Sequence, residues 1–315
     1  VFIFVALLCA SLMEAKVTLP RLFQSGMVLQ RGKVIPVWGK ADAGEVVTIQ
    51  FNKKQYTVTA DAEGKWRIDL PKMKAGGPYQ LTVGELVIDN VMIGDVWLLS
   101  GQSNIDVHIE RVYPQYAQEV DNYENDQIRL FRVQNDTDTH GVRDDIRPTS
   151  INWKPLNKQN AWPFSAVGYF LGKRMYEKNK VAQGIIVNSW GGTPIEAWIS
   201  KDSLEHDYPM LVKRTQFFQN DEYVKAQAQA NMQAERQWQK ILHESDPGIK
   251  QNWTSADYDD SAWQTINQWN WGWLGTGTVW LRQHIIIDKV HAQKPARLLL
   301  GTLFDRDITY LNGQH

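Results

Sequence analysis

The sequence predicts an α/β fold whose parallel sheet is flanked by two β-rich regions. Residues 96–99 are apolar with almost no polar alternation, which suits a strand buried on both faces of a parallel sheet. Strand and helix patterns then alternate up to residue 189, the order expected of such a sheet. A chain of 315 residues is long enough for about two domains, so the flanking β patterns predict further folded regions.

Residues 1–15 are apolar and end in small residues, and the run is too short to span a bilayer. This pattern is typical of a secretory signal peptide that has lost its initiator Met and basic start. We therefore expect cleavage after Ala15 and a secreted or periplasmic protein. A buried N-terminal strand is the alternative. The only cysteine, Cys9, lies in this segment, so the mature chain is expected to have no thiol, disulfide or cysteine metal site.

Residues 17–92 alternate between short strand patterns and turns. Strands are predicted at residues 34–38, 45–51, 55–59, 65–70 and 79–83, with turns at residues 43–44, 63–64 and 76–78. This spacing is typical of a small antiparallel β-sandwich. The sequence of this region has no cluster of acids, bases or metal ligands, so we expect it to be structural or to form a wall of a neighbouring site.

A serine follows the apolar strand at its carboxyl end. Gly101 allows the backbone to turn there, so Ser103 is expected at the strand tip, where open α/β sheets bind ligands. This is a suitable position for a nucleophile. Ile105 stands two residues after the serine, where the sharp turn of the α/β-hydrolases requires glycine, so that motif is not matched.

A second glycine turn is predicted at the same edge of the sheet. Residues 127–133 and 181–189 read as strands, and Ser165 reads as the N-cap of a helix between them. The apolar positions expected for that helix are Val167, Phe170, Leu171 and Met175. Gly191 and Gly192 follow the later strand, so their backbone N–H groups are expected to face an oxyanion formed at Ser103. We expect a valine at position 192 to crowd that oxyanion.

Two segments resemble conserved blocks of the sialate O-acetylesterases, a family of SGNH-type carbohydrate esterases. Residues 95–104 read DVWLLSGQSN, and residues 184–198 read GIIVNSWGGTPIEAW. The resemblance implies that Ser103 is the nucleophile and that Gly191 and Gly192 contribute to oxyanion or substrate binding, together with Gln102 and Asn104. It also implies an SGNH-hydrolase-like parallel sheet over residues 93–245.

The function implied by the resemblance is hydrolysis of O-acetyl esters on carbohydrates. The 9-O-acetyl groups of sialic acids are the first expected substrate, and acetylated plant polysaccharide such as xylan is an alternative. An alternative function of a different class is that of a non-catalytic carbohydrate-binding protein built around a degenerate esterase core. No cofactor or metal is implied. A formal net charge of −1 gives no electrostatic reason to expect nucleic acid or a membrane surface as partner.

The catalytic base cannot be assigned from the sequence. The family provides its histidine and acid from an Asp-x-x-His motif near its C-terminus. The one literal match, Asp288 with His291, follows a predicted β strand and is interpreted as a turn. The other candidates lie at no comparable strand end; they are His108, His140, His206 and His243. We therefore expect the base and acid to lie beyond His315, with the present chain an N-terminal fragment that has an incomplete sheet and is inactive by itself.

The last part of the chain is predicted to contain a helix and a truncated β domain. Residues 222–242 are rich in helix-forming residues and predict a surface helix. Residues 250–315 resemble a galactose-binding-like jelly-roll insertion, with strands expected at residues 277–282, 296–301 and 307–313. Trp269, Trp271 and Trp273 alternate at period two, so they share one face of an extended strand. Sandwich core or interdomain packing is the favoured interpretation, and a sugar platform is the alternative.

Overall fold

The computed structural model describes residues 17–266, 275–300 and 307–315. The chain divides into two compact units, Val1–Gln219 and Asn220–His315. The predicted signal peptide over residues 1–15 lies outside the described residues, as do Trp269, Trp271 and Trp273. The division falls before the long helix of residues 221–245, whereas the sequence predicts that the esterase region extends to residue 245.

The first unit contains all ten strands assigned among the described residues. They are β1 (Val28–Gln30), β2 (Ile35–Lys40), β3 (Val46–Phe51), β4 (Lys54–Thr59), β5 (Lys65–Leu70), β6 (Gly76–Val83), β7 (Leu86–Gly101), β8 (Asn125–Arg132), β9 (Ile151–Leu156) and β10 (Gln183–Ser189). Its helices are α1 (Ser103–Asp106), α2 (Ile109–Asp121), α3 (Lys158–Ala161), α4 (Ala166–Asn179), α5 (Lys201–Asp207) and α6 (Pro209–Thr215). Two 3₁₀ helices span Ile195–Trp198 and Gln216–Gln219.

One long strand joins the two parts of the main sheet. The sheet has the order β4-β3-β6-β7-β10-β8-β9, and β1 also pairs with β7. The first half of β7 is antiparallel to β6, whereas its second half is parallel to β10, which is parallel to β8 in turn. The predicted parallel α/β core is therefore confirmed, and β7 continues through the predicted boundary at residue 93.

The N-terminal strands form where the alternation predicted them. Strands β2 and β5 make a separate antiparallel pair. Their buried side chains, including Val37 and Trp66, belong to the same hydrophobic cluster as Ile49 of β3 and Leu81 of β6. The predicted turn at residues 76–78 is wrong, because those residues begin β6. The pairing of β6 with β7 is irregular at this point, with register shifts on both sides of Tyr79.

At the end of β7, only one face of the strand is covered. Leu99 is buried in a cluster with Ile109 of α2 and Tyr169 of α4. Leu98 points to the opposite face and is 68% exposed. The prediction of a strand buried on both faces is therefore wrong at Leu98, because the helices pack on the Leu99 side.

Helix α4 packs on the sheet through its small residues. The Ser165 side chain accepts a hydrogen bond from the Gly168 N–H at 3.1 Å, which caps the helix start as predicted. A Cβ at Gly172 would lie 2.9 Å from Ile128 Cγ2, so glycine allows the helix to approach the sheet closely. The predicted core position Val167 is exposed instead. Counting apolar residues does not identify the face of α4 that packs on the sheet, because glycines form part of that face.

The second unit contains α7 (Asp221–Ser245) and α8 (Pro247–Lys250). Helix α7 spans the predicted helix. The strands expected at residues 277–282 and 296–301 are not formed in their described residues, and residues 307–315 contain one isolated bridge, between Leu311 and Gln314. The Trp280 indole N–H donates at 2.9 Å to the carboxylate of Asp246, the residue that caps α8. The jelly-roll stays a prediction. In the described part of the chain, no helix is both long and apolar enough to cross a membrane.

Candidate active site

Strands β7 and β10 end side by side, and the candidate nucleophile follows directly. Ser189 pairs with Gly101 at the last position of the parallel register. Gly101 has φ of +145°, a conformation that favours glycine, and the chain turns there into α1, which begins at Ser103. The backbone N–H of Trp190 donates to the Gly101 carbonyl at 3.0 Å. The structure therefore places Ser103 at the tip of β7, with its side chain exposed.

The two predicted glycines relate to Ser103 in different ways. A Cβ built on Gly191 would lie 3.9 Å from both Cα and Cβ of Ser103, so this residue borders the serine. A Cβ on Gly192 would meet no heavy atom within 4 Å. The expectation that valine at position 192 crowds the oxyanion therefore stays a prediction. Gly192 has φ of +80°, so a larger side chain there would also strain the backbone.

The residues that flank Ser103 are exposed and form a tight turn. The Gln102 carbonyl accepts hydrogen bonds from the N–H groups of Ile105 and Asp106, both at 3.0 Å. The side chains of Gln102 and Asn104 point to solvent around the serine. Their predicted roles in substrate binding stay predictions.

The structure adds three side chains that the sequence reasoning did not select. Asp106 Oδ1 accepts a hydrogen bond from Ser189 Oγ at 2.9 Å and forms an ion pair with Arg132 Nη2 at 3.0 Å. Arg132 is the last residue of β8, and Ser189 is the last residue of β10. A search for polar residues at every predicted strand end would have found both, because the carboxyl ends of parallel strands meet at one edge.

His108 lies beside this network, and Arg132 engages its Nε2. Its Nε2 contacts Arg132 Nη1. A guanidinium only donates hydrogen bonds, so Nε2 must accept, which assigns the ring proton to Nδ1. Burial, and then the positive charge of Arg132, lower the pKa of His108, although Asp106 and Glu110 oppose this change. Both effects favour the neutral ring, whose Nε2 lone pair is engaged by the guanidinium.

The side chains of the literal Asp-x-x-His motif do form a hydrogen bond. His291 Nδ1 lies 2.8 Å from Asp288 Oδ1, and both side chains are more than half exposed. Asp288 Oδ1 also accepts from the backbone N–H groups of Val290 and His291, so it closes a turn. The pair belongs to the second unit and occupies the turn predicted from the sequence.

A cavity of about 240 Å³ adjoins the glycine turn after β10. Its lining includes Trp190 and Trp198, together with polar residues such as Asn188 and Thr193. Arg143 in its wall is paired with Asp136 and Asp138, each at 2.9 Å. Within the described residues, no group of three or more His, Cys, Asp or Glu side chains is placed to hold a metal ion.

The segment that carries this site matches a known family. Residues 93–240 match the family described as carbohydrate esterase, sialic acid-specific acetylesterase. The predicted resemblance to the sialate O-acetylesterases is confirmed.

Individual relatives agree with the family match. The sialate O-acetylesterase of Rattus norvegicus is 31% identical over 201 residues, which cover 57% of this chain and 36% of that protein. The Homo sapiens protein of the same name is 29% identical over 201 residues, covering 57% and 38%. The chain thus spans little more than a third of these curated relatives. The crystal structure of a carbohydrate acetylesterase from Xanthomonas citri superposes with a TM-score of 0.56 at 37% identity, covering 60% of this chain and 43% of that one.

Proposed function

We propose that the protein hydrolyses O-acetyl esters on carbohydrates with Ser103 as nucleophile, and that 9-O-acetylated sialic acids are its first substrates. One observation carries the proposal: Ser103 lies at the tip of β7, against Gly191 at the tip of β10. The segment that holds both residues is similar to sialic acid-specific acetylesterases. Export of the protein, as a secreted or periplasmic enzyme, is part of the same proposal.

The proposed reaction has two acyl-transfer steps. Ser103 Oγ attacks the acetyl carbonyl carbon while a base takes its proton, and the carbonyl oxygen becomes an oxyanion. Backbone N–H groups of Ser103 and of the turn at Gly191 and Gly192 would stabilise that oxyanion. Collapse of the intermediate breaks the bond to the sugar oxygen, which leaves with the proton. Water then attacks the acetyl-serine, and acetate is released.

The base is proposed to come from the family's Asp-x-x-His motif in the complete protein, after residue 315. His108, the histidine nearest to Ser103 in sequence, supports this view because its Nε2 lone pair already accepts from Arg132. A serine hydroxyl is a weak nucleophile without a base. Residues 17–315 alone are therefore expected to turn over substrate very slowly.

The cavity beside the glycine turn is proposed to hold the sugar. Trp190 is 40% exposed and borders the cavity together with Trp198. Flat indole faces suit the apolar faces of sugar rings. The Trp198 N–H donates to Thr193 Oγ1 at 3.0 Å, which fixes that ring within the wall.

The test is acetate release by the complete gene product from 9-O-acetyl sialic acid, with acetylated xylan as the comparison substrate. Ser103→Ala is expected to reduce turnover by several orders of magnitude, because it removes the attacking oxygen. Ser100→Ala is the matched control, since this serine is also exposed and lies on β7. Normal turnover by Ser103→Ala would refute the serine mechanism, and a clear preference for xylan would refute the substrate assignment.

A further inference from the structure

The short helix that carries Ser103 has little local support of its own. Helix α1 is four residues long, and no side chain caps its N-terminus. A helix of one turn is unstable by itself, because nucleation fixes several dihedral angles for one hydrogen bond. The orientation of Ser103 must therefore depend on contacts that α1 makes with the rest of the fold.

Asp106, the last residue of α1, makes such a contact with two strand ends. Its Oδ1 accepts from Ser189 Oγ of β10 at 2.9 Å and pairs with Arg132 Nη2 of β8 at 3.0 Å. The Arg132 and Asp106 side chains are only 17% and 27% exposed. Arg132 is held independently, because its Nη1 donates to the Pro163 carbonyl at 3.0 Å. The carboxylate thus ties the serine turn to fixed points on the sheet.

We propose that Asp106 is a positioning residue for Ser103: its carboxylate, held by Arg132 and Ser189, fixes α1 so that the serine hydroxyl faces the substrate and its own N–H faces the oxyanion. This inference rests on the proposed function. A displacement of about 1 Å in a catalytic group can reduce turnover about 10²-fold while substrate contacts elsewhere are kept. The loss should therefore appear in kcat, with KM nearly unchanged.

The test uses three variants and one control in the complete gene product. Asp106→Ala removes both contacts and is expected to lower kcat about 10²-fold, with KM within about twofold of the unmodified protein. Asp106→Asn keeps an oxygen acceptor and should recover part of that loss. Ser189→Ala removes one hydrogen bond and leaves the ion pair, so its reduction in kcat should be the smallest of the three.

Glu119→Ala is the matched control. It breaks the Glu119–Lys173 pair between α2 and α4, which has an Oε1–Nζ distance of 2.6 Å and side chains that are 35% and 20% exposed. This pair resembles the Asp106–Arg132 pair in burial but does not touch α1. Amide hydrogen exchange of residues 101–106 is measured in every variant, and it should accelerate in Asp106→Ala but not in Glu119→Ala.

The outcomes separate the positioning role from the proposed function. Asp106→Ala turnover equal to that of Glu119→Ala, or unchanged exchange in residues 101–106, would overturn the inference. If Asp106→Ala does not fold, Ser189→Ala decides in the same way. If the unmodified protein releases no acetate from any acetylated sugar, the proposed function fails, and the exchange data still decide whether Asp106 fixes the turn.

Discussion

Replacement of Gly94 by alanine should separate the strands that carry the site. Gly94 lies in β7, where the chain passes close to the residue that precedes β10. A Cβ at this position would lie 2.0 Å from the carbonyl oxygen of Ala182 and 2.7 Å from its carbonyl carbon. Both contacts are with backbone atoms, so no side-chain rotation can relieve them. The two strands would have to move apart by about 1 Å to reach the shortest separation that real Cβ atoms show, 3.0 Å.

Two effects determine how much Gly94→Ala reduces the free energy of unfolding. Overpacking of a well-packed region costs about 1–3 kcal/mol. The same movement stretches the hydrogen bond from the Asp95 N–H to the Ala182 carbonyl, now 2.9 Å long, whose loss costs about 1 kcal/mol. Gly94→Ala should therefore reduce the free energy of unfolding by about 2–4 kcal/mol. For a unit of this size, the reduction corresponds to a melting temperature lower by roughly 10 °C.

Calorimetry of the complete gene product measures this change. Gly141→Ala is the control, because a Cβ there meets nothing within 4 Å and the residue has no positive φ. Acetate release should fall as well, because β7 and β10 carry Ser103 and Gly191. A Gly94→Ala protein that melts within about 1 °C of the Gly141→Ala protein would refute the strand-separation argument.

Three further predictions concern ionisable groups in the first unit. Arg132→Gln should raise the pKa of His108, because it removes a positive charge from the ring; an NMR titration with an unchanged or lower pKa would contradict this. Burial would raise the pKa of Asp95, but hydrogen bonds from Arg31 and others outweigh it and lower the pKa below 3.8. Asp95→Asn should therefore destabilise the protein at neutral pH, and the destabilisation should shrink as the pH falls through the native pKa of Asp95. Urea unfolding that shows the same difference in the free energy of unfolding at every pH would argue against this. Tyr169→Phe should leave the free energy of unfolding in urea unchanged or raise it by up to about 1 kcal/mol. The reason is that the buried hydroxyl has no hydrogen-bond partner among the described residues, and burial raises its pKa to about 12. Clear destabilisation would indicate a partner.

Patterns local in sequence were sufficient to predict where Ser103 and Gly191 lie. An apolar strand followed by a glycine turn occurs twice, and parallel strands place their carboxyl ends at one edge. The resemblance of the two turns to one esterase family supported the same site. The Asp106 contacts could not be predicted in this way, because Arg132 and Ser189 approach Asp106 only when β8, β10 and β7 take their places in the sheet.

Burial was predicted less well than secondary structure, because burial depends on what covers a face. Leu98 and Leu99 are equally apolar in sequence, yet the helices cover only Leu99. Helix α4 turns Gly168 and Gly172 toward the sheet, and Val167 faces outward. A helix approaches a sheet closely where its residues have no side chains. The periodicity of apolar residues does not predict such positions, because it does not count glycines.

The order of the strands explains why the network has these three members. Strand β10 lies between β7 and β8, so a contact from the Ser103 turn to Arg132 must pass over the end of β10. The residue at that end is Ser189, which is 2% exposed and whose hydroxyl donates to the same Asp106 oxygen that Arg132 binds. A larger side chain at position 189 would separate Asp106 from Arg132, and an alanine would leave one acceptor position of the carboxylate unused. Position 189 therefore requires a side chain that is both small and a hydrogen-bond donor, and serine meets both conditions.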